Sequence, residues 1–139
     1  MVSLSGPRAS ELAEIFRGDE RILVAYLFGS KARGIQTPES DTDVAVLLSA
    51  LPEDALDYYL CLVDRLSRVV GSPVDLVFLN DAPLLLRHQV IKHGRVLFSR
   101  DEAARVEWEA GSVKEYMDFA PRSDEYDEAL LEEASKWRG

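Results

Sequence analysis

The sequence predicts a small α/β domain, one sheet with helices packed against it. Near-continuous apolar stretches at Arg21–Phe28, Thr42–Leu48 and Val74–Leu79 alternate with segments whose apolar residues recur every three to four positions. The 139 residues are enough for one ordinary domain and too few for two. Apolar residues make up 47% of the chain, which supports a packed core and argues against a disordered chain. The single cysteine, Cys61, excludes an internal disulfide and a cysteine-rich zinc site. Its neighbours Leu60, Leu62 and Val63 make it read as a buried helix residue.

Taken in order, Arg8 to Phe16 is a short helix with Leu12, Ile15 and Phe16 on one side, ended at Gly18. The strand Arg21–Phe28 has too many consecutive apolar residues to be half exposed, so it should be central. Gly29-Ser30 breaks it, Lys31 to Gly34 can start a helical turn, and Ile35 to Ser40, with Pro38, reads as a loop. After the strand Thr42–Leu48, Pro52 introduces a long helix from about Glu53 to Val70. Its expected buried stripe is Leu56, Tyr59, Leu60, Val63, Leu66 and Val70, and Gly71-Ser72-Pro73 ends it. Strand Val74–Leu79, helix Pro83–His93 and short strand Arg95–Phe98 follow. Asp101 to Phe119 is helical again, Pro121 stops it, and Tyr126 to Trp137 can form a last helix.

Charge narrows the function classes. Lys and Arg number 16 against 25 Asp and Glu, a net of −9. Residues 101–139 hold 12 acids and 5 bases, so most of the excess lies in the C-terminal third. An acidic chain without a basic stripe is a poor binder of nucleic-acid backbone, so no direct nucleic-acid partner is expected. The acidic tail is either a solvated face or a dock for a basic partner. In its helix Val106, Ala110, Val113 and Met117 form a narrow apolar seam. That seam packs on the domain's own sheet, or serves a partner with Trp108, Tyr116, Phe119 and Trp137 as anchors. The opening residues hold no long apolar core and no stretch approaches a bilayer span, so no secretory signal or membrane segment is expected and the location should be cytoplasmic.

The chemistry concentrates in two places. Asp41 and Asp43 lie two apart at the start of a strand, so their side chains share a face, about 6.5–7 Å apart along the backbone. Asp75 stands near the start of the next strand. If those strands pair, three carboxylates converge where they would repel one another, and a hard cation such as Mg²⁺ resolves the conflict. Gly29-Ser30, directly after the buried strand, can bring backbone amides and a hydroxyl close to phosphate oxygens. Lys31 and Arg33 add positive charge nearby. A phosphate-contacting turn beside a carboxylate set suggests metal-assisted transfer from a nucleoside triphosphate. His88 and His93, five apart on one helix, do not share the face a metal would need and read as surface or helix-end residues. Tyr58 and Tyr59 read as helix-packing residues.

Residues 29–43, GSKARGIQTPESDTD, match the Gly-Ser, ten residues, Asp-x-Asp signature of the nucleotidyltransferase superfamily that shares its fold with DNA polymerase β. The longer FGSKARGIQTPESDTDVAVLL, with VDLVFLN and PLLLRHQVIKHGRVLF downstream, resembles the minimal nucleotidyltransferases, the MNT proteins. The likeness covers about residues 20–100, and EYMDFAP extends it loosely into the tail. The resemblance implies a polymerase-β-like mixed sheet backed by helices, with residues 1–100 as the nucleotidyltransferase domain and 101–139 as a helical extension. It implies ATP as substrate and two Mg²⁺ ions. Gly29, Ser30 and Arg33 would hold the nucleotide, Asp41 and Asp43 would ligate metal, and Asp75 would share one metal and help deprotonate the acceptor.

MNT proteins commonly act as antitoxins beside a helical HEPN ribonuclease, transferring AMP to a tyrosine of the toxin. The resemblance therefore implies a protein adenylyltransferase antitoxin with a HEPN-type partner, in a homo- or hetero-oligomer. Two other readings stay open: a small-molecule nucleotidyltransferase of the antibiotic-modifying kind, and a binding module that neutralises its partner without turnover. Polymerisation of nucleic acid ranks last, since no basic template path is apparent.

Overall fold

The computed structural model describes residues 7–29 and 42–119. Helix α1 (Pro7–Arg17) leads into strand β1 (Ile22–Phe28), and β2 (Thr42–Leu48) is followed by α2 (Ala55–Val70) and β3 (Val74–Phe78). A 3₁₀ turn (Leu79–Asp81), α3 (Leu84–His93), β4 (Arg95–Ser99) and α4 (Glu102–Phe119) complete the described chain. The last residue of the expected third strand, Leu79, instead opens that turn. The expected turn at Lys31–Gly34, the loop at Ile35–Ser40 and the helix at Tyr126–Trp137 lie outside the described residues.

The four strands form one mixed sheet in the order β3-β2-β1-β4. β1 runs antiparallel to β2 and β4, and β2 runs parallel to β3. β1 is thus interior, as its unbroken apolar run requires: six of its seven residues are buried. Residues alternate between the two faces. Ala25, Leu27, Val44 and Val46 face α1 and α2, meeting Phe16 and Leu66. Val24, Tyr26, Phe28, Ala45 and Leu47 face the other way, against Leu86 and Val90 of α3. The mixed α/β sheet with helices on its faces is the predicted architecture.

Two polar contacts lock the ends of the sheet. The Arg100 guanidinium donates to the carbonyls of Ile22, Phe16, Arg17 and Asp19 at 2.9–3.0 Å, which satisfies the open C-terminus of α1. The Asn80 amide accepts from the Leu48 N–H at 2.9 Å and donates to the Leu48 carbonyl at 2.8 Å, replacing a missing strand at the end of β2.

Two expectations about buried faces are corrected. In α2 the buried residues are Tyr58, Leu62, Leu66 and Val70, with Tyr59 and Val63 packed at the edge of that core, while Leu56 is 70% and Leu60 is 55% exposed. Cys61 is exposed as well. The apolar residues of α2 extend around more than one face, so periodicity alone left the rotation of the helix undecided. Tyr58 decides it. Its ring packs on Phe78 at 5.9 Å and its hydroxyl donates to Asp19 at 2.7 Å, which turns Leu60 and Cys61 outward.

In α4 the expected seam is not the packing face. Val106 is 53% and Met117 65% exposed, and the helix meets α3 and β1 through Trp108, Ser112 and Tyr116, spaced four apart. Trp108 packs on Tyr26 at 6.1 Å and Tyr116 stacks on His88 at 3.8 Å. Aromatic rings bury more area than a Val/Ala/Met seam, and the buried Tyr26 hydroxyl needs the acceptor that Glu109 supplies at 2.7 Å. Of the remaining anchors, Phe119 is 52% exposed and Trp137 lies outside the described residues.

Candidate active site

All four strands present one end at a common edge of the sheet. Phe28, at the end of β1, is the register partner of Asp43, and Asp43 is the partner of Asp75 across the parallel β2–β3 pair. Adjacent strands lie about 4.8 Å apart, so Asp75, Asp43 and the Phe28-Gly29 turn stand side by side within about 10 Å. Asp43 alternates with Ala45 and Leu47, and Asp75 with Val77, all of which face α3. The two carboxylates therefore rise from the same side of the sheet. Asp43 is half-buried and Asp75 exposed, positions at the strand ends where a carboxylate keeps contact with water.

Gly29 is buried and has φ 79°, a backbone conformation that a side chain disfavours. It lets the chain leave the interior strand sharply beside Asp43. The predicted convergence thus holds for Gly29, Asp43 and Asp75. Ser30, Lys31, Arg33 and Asp41 lie outside the described residues. Among the described residues no three His, Cys, Asp or Glu side chains gather into a metal-binding group, and Asp43 and Asp75 form a pair. That pair of hard oxygen donors on one face fits Mg²⁺, which takes one or two protein carboxylates and fills its shell with water and phosphate.

The α3–β4 junction also comes to this edge. Arg95 is the register partner of Leu27. A Cβ on Gly94 would lie 2.3 Å from the Val90 carbonyl oxygen and 3.3 Å from that of Leu27, so only glycine lets the junction press against β1 here. Sequence reading marked Gly94 only as a helix end. The readable signal was its place between a helix and a strand with no intervening loop. His88 packs between helices and His93 is exposed at the end of α3, as predicted for both.

The surrounding polar groups hold this scaffold in place. Burial pushes the Tyr26 phenol well above its ordinary pKa, and the hydrogen bond to the Glu109 carboxylate adds to that. Tyr26 therefore stays a protonated donor anchoring α4 to the strand that carries Gly29. Burial likewise raises Tyr58, with its hydrogen bond to Asp19 next.

This mixed sheet, with a glycine turn and paired carboxylates at one edge, defines the nucleotidyltransferase class of protein. The polymerase beta nucleotidyltransferase family matches residues 10–103, and the chain belongs to that family. Its relatives include protein adenylyltransferase MntA of Shewanella oneidensis, 36% identical over 84 residues, 59% of this chain and 58% of that protein. The protein adenylyltransferase candidate MJ1379 of Methanocaldococcus jannaschii is 39% identical over 75 residues, 49% of this chain and 75% of that one.

Solved structures share the fold. A chain of a toxin–antitoxin complex with AMP-PNP superposes with a TM-score of 0.69 at 23% identity, covering 91% of this chain and 98% of its own. A chain from tri-AMPylated Shewanella oneidensis HEPN toxin in complex with MNT antitoxin gives 0.65 at 21% identity, covering 92% and 96%. Among the described residues no helix is long and apolar enough to cross a membrane.

Proposed function

We propose that this protein is a Mg²⁺-dependent adenylyltransferase that transfers AMP from ATP to a hydroxyl, that of a tyrosine, on a HEPN-type ribonuclease toxin, and thereby acts in the cytoplasm as its antitoxin. The observation that carries this is the register match of Asp43 with Asp75 beside the Gly29 turn. It supports a site able to hold Mg²⁺ next to a phosphate-contacting backbone. The names of the relatives support protein as the acceptor.

In this reading Asp41, Asp43 and Asp75 hold two Mg²⁺ ions, which when bound stabilise negative charge on the attacking and leaving oxygens. Gly29, Ser30 and Arg33 hold the nucleotide. The acceptor oxygen attacks the α-phosphorus and gives up its proton toward Asp75. The bond from that phosphorus to the bridging oxygen breaks, and pyrophosphate leaves. Residues 1–100 are the catalytic unit and 101–139 an extension whose first helix packs on it.

The test adds purified protein, Mg²⁺ and α-labelled ATP to host lysate, with Asp43→Asn in parallel. A discrete labelled protein band, absent with the variant, is the expected result and yields the acceptor by mass spectrometry. Equal labelling by both proteins overturns the assigned chemistry. Label confined to small molecules replaces the protein acceptor with a small one.

A further inference from the structure

The chain is acidic overall, 25 acids to 16 bases, yet residues 84–100 contain Arg87, Lys92, Arg95, Arg100 and two histidines with no acid at all. Two of those cations have structural work. Arg87 pairs with Glu115 at 3.2 Å, and Arg100 donates to the four carbonyls described above. Lys92 and Arg95 are exposed and form no ion pair among the described residues.

Their place in the fold is specific. Lys92 and His93 form the last turn of α3, and Arg95 opens β4 directly after the Gly94 contact with β1. His93 is three residues on from Val90, which packs with Phe28 and Ala45 on the side of the sheet that bears Asp43. Reading along the edge from β3 to β4 gives Asp75, Asp43, Gly29 and then Lys92, His93 and Arg95. Three strand spacings span that row, about 14 Å. The edge is electrically divided, with carboxylates on one half, cations on the other and the glycine turn between them.

We propose that Lys92, His93 and Arg95 bind the β- and γ-phosphates of the nucleoside triphosphate, a role resting on the nucleotide-site reading given above. A triphosphate placed with its α-phosphorus at the carboxylate half extends its two outer phosphates across Gly29 to the cationic half. Those phosphates leave as pyrophosphate and gain negative charge as the bond breaks, so fixed cations there favour departure. Lys92 and His93 also complement the negative end of the α3 dipole. Arg95 lies outside the helix and has no such role.

The test is calorimetric binding of ATP and of AMP to the full chain in Mg²⁺, comparing wild type with Lys92→Glu/Arg95→Glu. The expected result is ATP affinity at least tenfold weaker in the double variant, with AMP affinity changed less than twofold. Arg95→Gln, milder at an exposed position, shifts ATP alone by about threefold and covers the case in which the double variant fails to fold. Equal weakening of ATP and AMP, or unchanged ATP binding, overturns the proposal while leaving the nucleotide site in place. Absence of any nucleotide binding by wild type overturns the site reading and this proposal together.

Discussion

Asp75→Asn separates a carboxylate kept for metal from one kept for structure. Asp75 is exposed and faces Asp43 across adjacent parallel strands. With the carboxylates about 5–6 Å apart in a water-like dielectric, their repulsion is about 0.7–0.8 kcal/mol. Salt at 0.15 M reduces it to roughly 0.4 kcal/mol. The substitution should therefore raise the metal-free melting temperature by about 1–2 °C for a domain of this size.

Bound Mg²⁺-nucleotide reverses the order. At a concentration one hundred times the wild-type Kd, ligand adds about 2.7 kcal/mol. A variant binding tenfold more weakly gains only about 1.4 kcal/mol, which leaves wild type ahead by about 0.9 kcal/mol, or about 3 °C. Thermal melts followed by circular dichroism, with and without Mg²⁺ and a non-hydrolysable ATP analogue, measure both halves. A variant less stable than wild type without metal, or one that keeps the full ligand-induced shift, refutes the reasoning.

Two further outcomes follow from the packing and the hydrogen bonds. Leu62→Ala should destabilise by about 2–5 kcal/mol and Leu60→Ala by less than about 0.5, because only Leu62 is buried; urea unfolding with equal costs would reject the observed rotation of α2. Burial raises the Asp19 carboxyl, but the hydrogen bonds from Tyr58 and Arg21 outweigh it and hold its pKa below the ordinary value. A lowered folded-state pKa stabilises above the unfolded value, about 3.9, and that contribution is lost as pH falls through the folded value. Asp19→Asn should therefore be about 1 kcal/mol less stable than wild type at pH 6, with the gap closing toward pH 3. A gap that widens on acidification would reverse the sign.

The sequence by itself determined the alternation of helices and strands, the interior position of β1 and the identity of the site residues. These follow from chain-local physics. A run such as ILVAYLF can be buried on both faces, and carboxylates at strand starts keep access to water. Gly29 was readable for the same reason, since the turn after an interior strand calls for glycine. Tertiary structure alone decided which carboxylates meet. Asp43 and Asp75 are 32 residues apart in sequence, and only the parallel β2–β3 register makes them neighbours.

It also decided the rotation of α2 and α4. Both helices offered more than one apolar stripe, and the choice fell to contacts with distant residues, Tyr58 with Asp19 and Phe78, and Glu109 and Trp108 with Tyr26. Hydrophobic periodicity is a property of one helix, whereas the buried face is settled by the surface that the helix meets. The same holds for the divided edge of the sheet. The chain order separates Asp43 from Arg95 by 52 residues, and the strand order β3-β2-β1-β4 leaves only β1 between their strands.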